Sequence, residues 1–245
     1  DRLAKYVNYS PSHFTRIFKQ RTGLPPLYYV SSLRLQKAKD LLLHTNLSVR
    51  DIGLEIGQQS LGTFTTRFTE RVGVTPSQFR NSKLQAKNHL HSLQKLDVWS
   101  ATHRKIMTPY TTIEGTIQAD VSFNGVILIG LFSKPIPEGL PLYGTLLSSL
   151  GAFSIPGVKP GIYYLMSTAL SWEMQTKDIL LPLTTLRFKA KEPIIVSTHS
   201  VVPHQHVTLR GPQLDDPPIL ISLPLLMKNF LDRYIYKSNR KEMIT

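Results

Sequence analysis

Six residues near the start of the chain, Ser12, His13, Thr15, Arg16, Lys19 and Gln20, carry hydroxyl, imidazole, cationic and amide groups at spacings that put them on one side of a helix. Such groups hydrogen-bond phosphate oxygens and base edges, and Arg16 is the strongest reader because a guanidinium engages both acceptors of a guanine. The chemistry they suit is recognition of a polyanion, not bond-making. Fifty residues on, Gly62, Thr65 and Thr66 stand where Ser12, Thr15 and Arg16 stood, flanked by Leu61 and Arg67. Leu61 and the threonine methyls suit thymine methyl groups, and Arg67 can reach a phosphate along its hydrocarbon stem. With threonine at 66 in place of the bidentate fork of Arg16, base reading and simple phosphate contact both stay open for this second set.

The elements that must hold these residues are written twice. Ser10, Phe14, Phe18, Gly23, Pro26 and Tyr29 are echoed by Ser60, Phe64, Phe68, Gly73, Pro76 and Phe79. In each copy a serine caps a helix, aromatics follow at helical spacing, glycine stops the helix and proline can open the next. Short apolar segments, residues 3–7 and 52–56, precede the serines through Asn8-Tyr9 or Gly57-Gln58-Gln59, which predicts two helix-turn-helix units. Phe14, Ile17, Phe18 and Arg21 form one stripe expected to face a core. A connecting helix is predicted over residues 27–44, with Val30, Leu33, Ala38, Leu41 and Leu42 inward and Arg34, Lys37 and Lys39 outward. Ser48 with Asp51, and Thr75-Pro76-Ser77-Gln78, read as further helix starts. Residue 1 falls inside the first scaffold helix, so at least one helix is expected to precede it.

Charge follows the repeats. Residues 1–105 hold 17 Lys and Arg against 6 Asp and Glu, a net of +11, whereas residues 106–245 hold 12 against 10, a net of +2. An excess of this size beside two helix-turn-helix units favours DNA as the partner. The chain has no cysteine, which removes disulfides, thiolate metal sites and thiol nucleophiles and fits a cytoplasmic location. No apolar run nears the roughly 20 residues that span a bilayer, so no membrane partner is expected.

Three ordered segments carry a resemblance: Ser10-Pro-Ser-His-Phe-Thr-Arg-Ile-Phe-Lys19, Arg34-Leu-Gln-Lys-Ala38 and Val72-Gly-Val-Thr-Pro-Ser-Gln-Phe-Arg80. Together they resemble the DNA-binding domain of the AraC/XylS family of bacterial transcription regulators, over residues 1–82. The resemblance implies two recognition helices in successive major-groove segments, with Arg16 at a base-contacting position and Ser12 and Thr15 at neighbouring ones. The second unit departs from the family pattern: Gly57-Gln58 replaces Gly-Phe in the turn, Leu61 and Thr66 replace Gln and Arg, and Arg67 fills an apolar slot.

Residues 83–107 are expected to be a helical tail and linker, and residues 108–245 a β domain. Seven runs read as strands: 111–118, 126–132, 143–147, 152–155, 162–169, 194–198 and 207–209. The fold expected is an all-α double helix-turn-helix domain followed by an antiparallel β-sandwich with a closing helix over residues 223–236. Residues 144–164, with a Gly-x-Phe strand, a Pro-Gly turn and a tyrosine-bearing strand, resemble carboxypeptidase-regulatory or transthyretin-like sandwiches; that implies fold only. Asp215 and Asp216 suit a capped loop more than a cation site, and His204 and His206, with His199, read as surface histidines more than metal ligands.

Motifs for hydrolase, phosphate-loop, metalloprotease and paired-cysteine chemistry are all missing, so no catalytic residue, metal or cofactor is expected. The reading is a bacterial transcription regulator and not an enzyme, with double-stranded DNA as partner and RNA polymerase as a further one, acting as a monomer or homodimer. A small-molecule or protein effector is expected at the sandwich, against Tyr163, Tyr164 and Trp172. The alternatives are a constitutive DNA binder whose sandwich is a structural or dimerisation module, and a carbohydrate-binding or catalytic sandwich. With its own caps and aromatic stripes, the basic half is expected to fold and bind alone.

Overall fold

A computed structural model describes residues 2–96, 99, 110–198 and 201–242. The repeat in the sequence is a repeat in space. α1 (Arg2–Tyr6) leads into α2 (Pro11–Thr22), and α4 (Val49–Glu55) into α5 (Leu61–Val72), with α3 (Pro26–His44) between the two pairs and α6 (Pro76–Arg80) after them. Ser10 Oγ accepts from the His13 amide at 3.3 Å and Ser60 Oγ from the Thr63 amide at 3.4 Å, so both second helices start on the same side-chain cap. Both end on a left-handed glycine, Gly23 at φ 82° and Gly73 at φ 90°. Inside each unit the aromatics pair alike, with Phe14–Phe18 and Phe64–Phe68 centroids 5.8 Å apart. Phe18 then meets Tyr29 at 5.4 Å, and Phe68 meets Phe79 at 5.9 Å.

α7 (Lys83–Gln94) continues the helical half, and the remainder is sheet: β1 (Thr111–Ala119), β2 (Gly125–Phe132), β3 (Tyr143–Leu147), β4 (Gly151–Val158), β5 (Gly161–Ser171), β6 (Arg187–Lys189), β7 (Ile194–Val196) and β8 (Gln205–Leu209). A short α8 (Thr176–Leu180) follows β5, and α9 (Leu223–Glu242) closes the chain. The smaller sheet has the order β4-β1-β8 and the larger β3-β2-β5-β6, with β7 also on β5. All pairs are antiparallel except β1 with β8, which runs parallel. The strands enclose two cores because β2 is buried along its whole length. Its Ile127, Ile129 and Leu131 pack with Ile113, Phe153 and Val207 between the sheets, while Val126 and Leu128 join Leu170 in the core shared with the helices. An apolar run buried on both faces gains about 1.5–3 kcal/mol per large side chain, which suits β2 to the centre of three layers.

That helix-facing core is continuous. It runs from Leu35, Leu42, Phe64 and Phe68 to Ile219, Leu220, Leu223 and Met227, so the helical half shares its interior with the β domain. The sharing revises several orientations read from periodicity. Lys39, expected outward, is 1% exposed, and its ammonium donates to the Ile219 and Leu220 carbonyls at 3.1 and 3.2 Å. Val30 and Leu33, expected inward, lie on the exposed side of α3, and Arg21 is exposed and paired with Asp215 at 3.2 Å. Of the two Pro-Gly pairs in this segment, Pro160-Gly161 stands at the reversal from β4 into β5, while Pro156-Gly157 lies within β4, where Gly157 at φ 76° sits at the bulge in the β1–β4 register between Thr111 and Ile113.

Candidate nucleic-acid interface

On α2, Ser12, Thr15, Arg16, Lys19 and Gln20 are all exposed and His13 is half-exposed, so the outer face carries the expected set together. Arg16 Nη2 lies 3.1 Å from His13 Nδ1, and the His13 ring stands edge-on to Tyr9 at 4.6 Å. Thr15 Oγ1 donates back to the Pro11 carbonyl at 2.9 Å, which leaves its methyl outward. On α5, Leu61, Gly62, Thr66 and Arg67 are exposed and Thr65 is partly covered. Arg67 Nη1 donates to Gln58 Oε1 in the preceding turn at 3.2 Å, so the arginine in the apolar slot is used to brace the turn. That turn passes through Gly57 at φ 78° and its counterpart through Asn8 at φ 56°, a left-handed position that these two residue types accept most readily.

The opposite ends of α2 and α5 are held by the β domain. Lys189 Nζ donates to the Thr22 carbonyl, the last of α2, at 2.9 Å. The Gly139 amide donates to the Arg71 carbonyl at 2.7 Å and the Ser222 amide to the Val72 carbonyl at 2.8 Å, which satisfies the end of α5. Side chains reinforce both joints. Arg71 reaches Glu138 through Nε and donates to Ser31 Oγ at 3.2 Å and Ser32 Oγ at 2.6 Å. Glu138 also accepts from Tyr28, and burial together with that carboxylate holds the Tyr28 phenol above its ordinary range. Tyr29 Oη donates to the Asp216 carbonyl at 3.0 Å. Since 12 residues of helix span about 18 Å, the serine-capped ends of α2 and α5 lie well away from these joints.

Sequence reasoning missed this joint. A signal existed: Arg21 and Arg71 occupy the same repeat position, and both turn to carboxylates of the β domain, Asp215 and Glu138. Asp216 is held below the ordinary carboxylate range by the Arg210 guanidinium and the Gln213 amide, which outweigh its burial. Asp215 and Asp216 therefore serve ion pairs.

The three aromatics expected at an effector site do not converge. Tyr163 is buried between the sheets with its hydroxyl donating to the Lys159 carbonyl at 2.9 Å, and burial raises its pKa. Tyr164 follows on the other face of β5, half-buried, and Trp172 packs against Trp99 at 6.2 Å. His204 and His206 share a face at 5.1 Å, and His204 Nε2 lies 2.8 Å from Thr116 Oγ1; His199 lies outside the described residues. Among the described residues no cluster of three or more His, Asp or Glu could hold a metal ion, and no helix is long and apolar enough to cross a membrane.

A family model for a helix-turn-helix domain matches residues 3–82. The chain is 35% identical over 81 residues to the HTH-type transcriptional regulator YobQ of Bacillus subtilis, a match over 33% of this chain and 34% of that protein. It is 32% identical over 79 residues to the lactose operon transcription activator of Staphylococcus xylosus, covering 32% and 28% of the two. The chain thus spans about a third of the length of these relatives. Among solved structures it is similar to the C-terminal domain of AraT, a response regulator from Geobacillus stearothermophilus, at 32% identity over 33% of this chain and 67% of that one, with a TM-score of 0.31.

Proposed function

We propose that this chain is a sequence-specific DNA-binding transcription regulator of the AraC type and not an enzyme, a reading supported by the helix-turn-helix model that matches residues 3–82. The single observation that carries the reading is the duplication: α2 and α5 start on the same serine cap, stop on the same left-handed glycine and leave their outer faces in solvent. Each enters a major-groove segment, α2 reading bases through Arg16 with Ser12 and Thr15, and Lys19 and Gln20 reaching the backbone. α5 contributes Leu61, Gly62, Thr65 and Thr66 at base edges, while Arg67 supports the turn. The β domain senses an effector, and the DNA-bound chain, as monomer or homodimer, recruits RNA polymerase.

The shared core favours a second reading, in which the β domain is a scaffold that fixes the two units and binds no ligand. Selection of duplexes from a random pool by the full chain tests the first claim. A two-block motif with one guanine lost from the preference of the Arg16→Ala variant is expected; a pool that returns no enriched sequence overturns it.

A further inference from the structure

A cavity of about 490 Å³ opens between the helix-facing side of the larger sheet and α9, within the ~300–1,000 Å³ of small-molecule sites. Its wall is hydrocarbon, with Leu128, Phe132, Leu146, Met166, Ile221 and Leu226 prominent. Its charge is one-sided. Arg187, Lys189 and Arg233 line it together with Asp216 and Asp232, but both carboxylates already have partners. Asp216 takes Arg210 through two bonds of 2.8 Å, and Asp232 lies 3.9 Å from Lys228. Arg187 is 9% exposed; its Nε and Nη2 donate to carbonyls of the 182–185 segment at 2.6–3.2 Å, and its Nη1 makes no hydrogen bond among the described residues. Burial holds Arg187 and Lys189 below the ordinary ranges of their side chains, outweighing the opposing pull of Asp216 on both and of Asp215 on Lys189.

The same walls carry the recognition helices. Lys189 lines the cavity and holds the last carbonyl of α2. Pro137, also in the wall, accepts from the Leu220 and Ile221 amides at 3.0 and 3.1 Å, beside the Gly139 and Ser222 amides that hold the end of α5.

We propose that this cavity binds a small apolar monoanion, with its carboxylate on Lys189 and Arg187 and its hydrocarbon against Leu128, Leu146 and Met166. The anion competes with the Thr22 carbonyl for the Lys189 ammonium, so binding loosens α2 from the β domain and lowers DNA affinity; this consequence rests on the DNA-binding reading above. A ligand acts only through such a difference between states.

The test titrates the full chain by calorimetry with octanoate, 1-octanol and acetate. Octanoate is expected to bind one-to-one and at least tenfold more tightly than octanol, with acetate giving no saturable heat. Leu146→Trp, which fills the cavity, should abolish octanoate binding; if that variant melts early, Leu142→Trp at the exposed rim takes its place. Saturating octanoate should lower affinity for the selected duplex at least threefold. Lys189→Met should bind DNA at that lowered level and no longer respond. Octanol matching octanoate, absence of binding by both, or bound octanoate that leaves DNA affinity unchanged would each overturn the proposal. Failure of the unliganded chain to bind any duplex sinks the DNA reading instead, and the calorimetry still judges the site.

Discussion

Arg71, at the end of the second recognition helix, places its Nε 2.5 Å from a Glu138 carboxylate oxygen, with side chains only 9% and 8% exposed. The pair joins α5 to the loop after β2 and is surrounded by Ser31, Ser32 and Tyr28. Removing Arg71 leaves the buried Glu138 carboxylate only the largely exposed Lys134 ammonium, 3.2 Å away, as counter-charge. Arg71→Met should therefore cost about 3–5 kcal/mol in urea unfolding, whereas Arg71→Met with Glu138→Leu should recover most of the loss. A single variant within about 0.5 kcal/mol of the parent, the range of an ordinary surface change, would show that the pair is solvated in solution.

Lys39 supplies a pH dependence. Burial lowers its pKa from 10.5 to about 7 in the folded chain, while the unfolded side chain keeps the ordinary value. Below about pH 7 both states are protonated and this residue adds no slope. Above it the folded state has released a proton that the unfolded state still holds, so stability rises with pH until the unfolded lysine titrates. Tm of the parent relative to Lys39→Met should climb between pH 7 and 9, and a flat difference would place the lysine in water.

The two recognition helices should differ. Arg16→Ala is expected to weaken binding to the selected duplex by about 1–3 kcal/mol and relax preference at one base pair, the worth of a bidentate contact. Thr66→Ala should cost less, since threonine has no such fork. Equal losses in fluorescence anisotropy would mean that the reading helix has been misassigned.

Salt should act steeply on the full chain. With about 6–10 phosphates engaged across two groove segments, log affinity against log salt should fall with a slope of roughly −5 to −9. A slope near zero would exclude docking of the basic helical faces on the duplex.

What the sequence made legible was local. The caps at Ser10, Ser60 and Thr75 and the stops at Gly23 and Gly73 are fixed by neighbours three or four residues away, and the exposed faces of α2 and α5 follow from them. Lys39 was not legible, because its burial is imposed by Ile219 and Leu220, some 180 positions later. Periodicity finds the side of a helix rich in carbon but is silent about a lysine whose stem crosses a second interface. β6 escaped as well: three residues, Arg187, Phe188 and Lys189, contain no full alternation, yet all three line the cavity and one holds α2. The surroundings of Tyr163, between the sheets, and of Trp172, against Trp99, are likewise set by residues distant in sequence.

Both recognition helices are fastened at their trailing ends to one β frame, Thr22 through Lys189 and Val72 through Ser222. Two readers on a loose tether could follow a duplex of any phasing, but two on a common frame are a fixed gauge. One extra base pair between the two blocks turns the second groove about a tenth of a helical turn away. The chain could follow it only by breaking a joint or twisting the duplex. Target sites should therefore share one separation between their blocks, and tolerance of altered separation would appear first in chains where the Lys189 or Glu138 joint is cut.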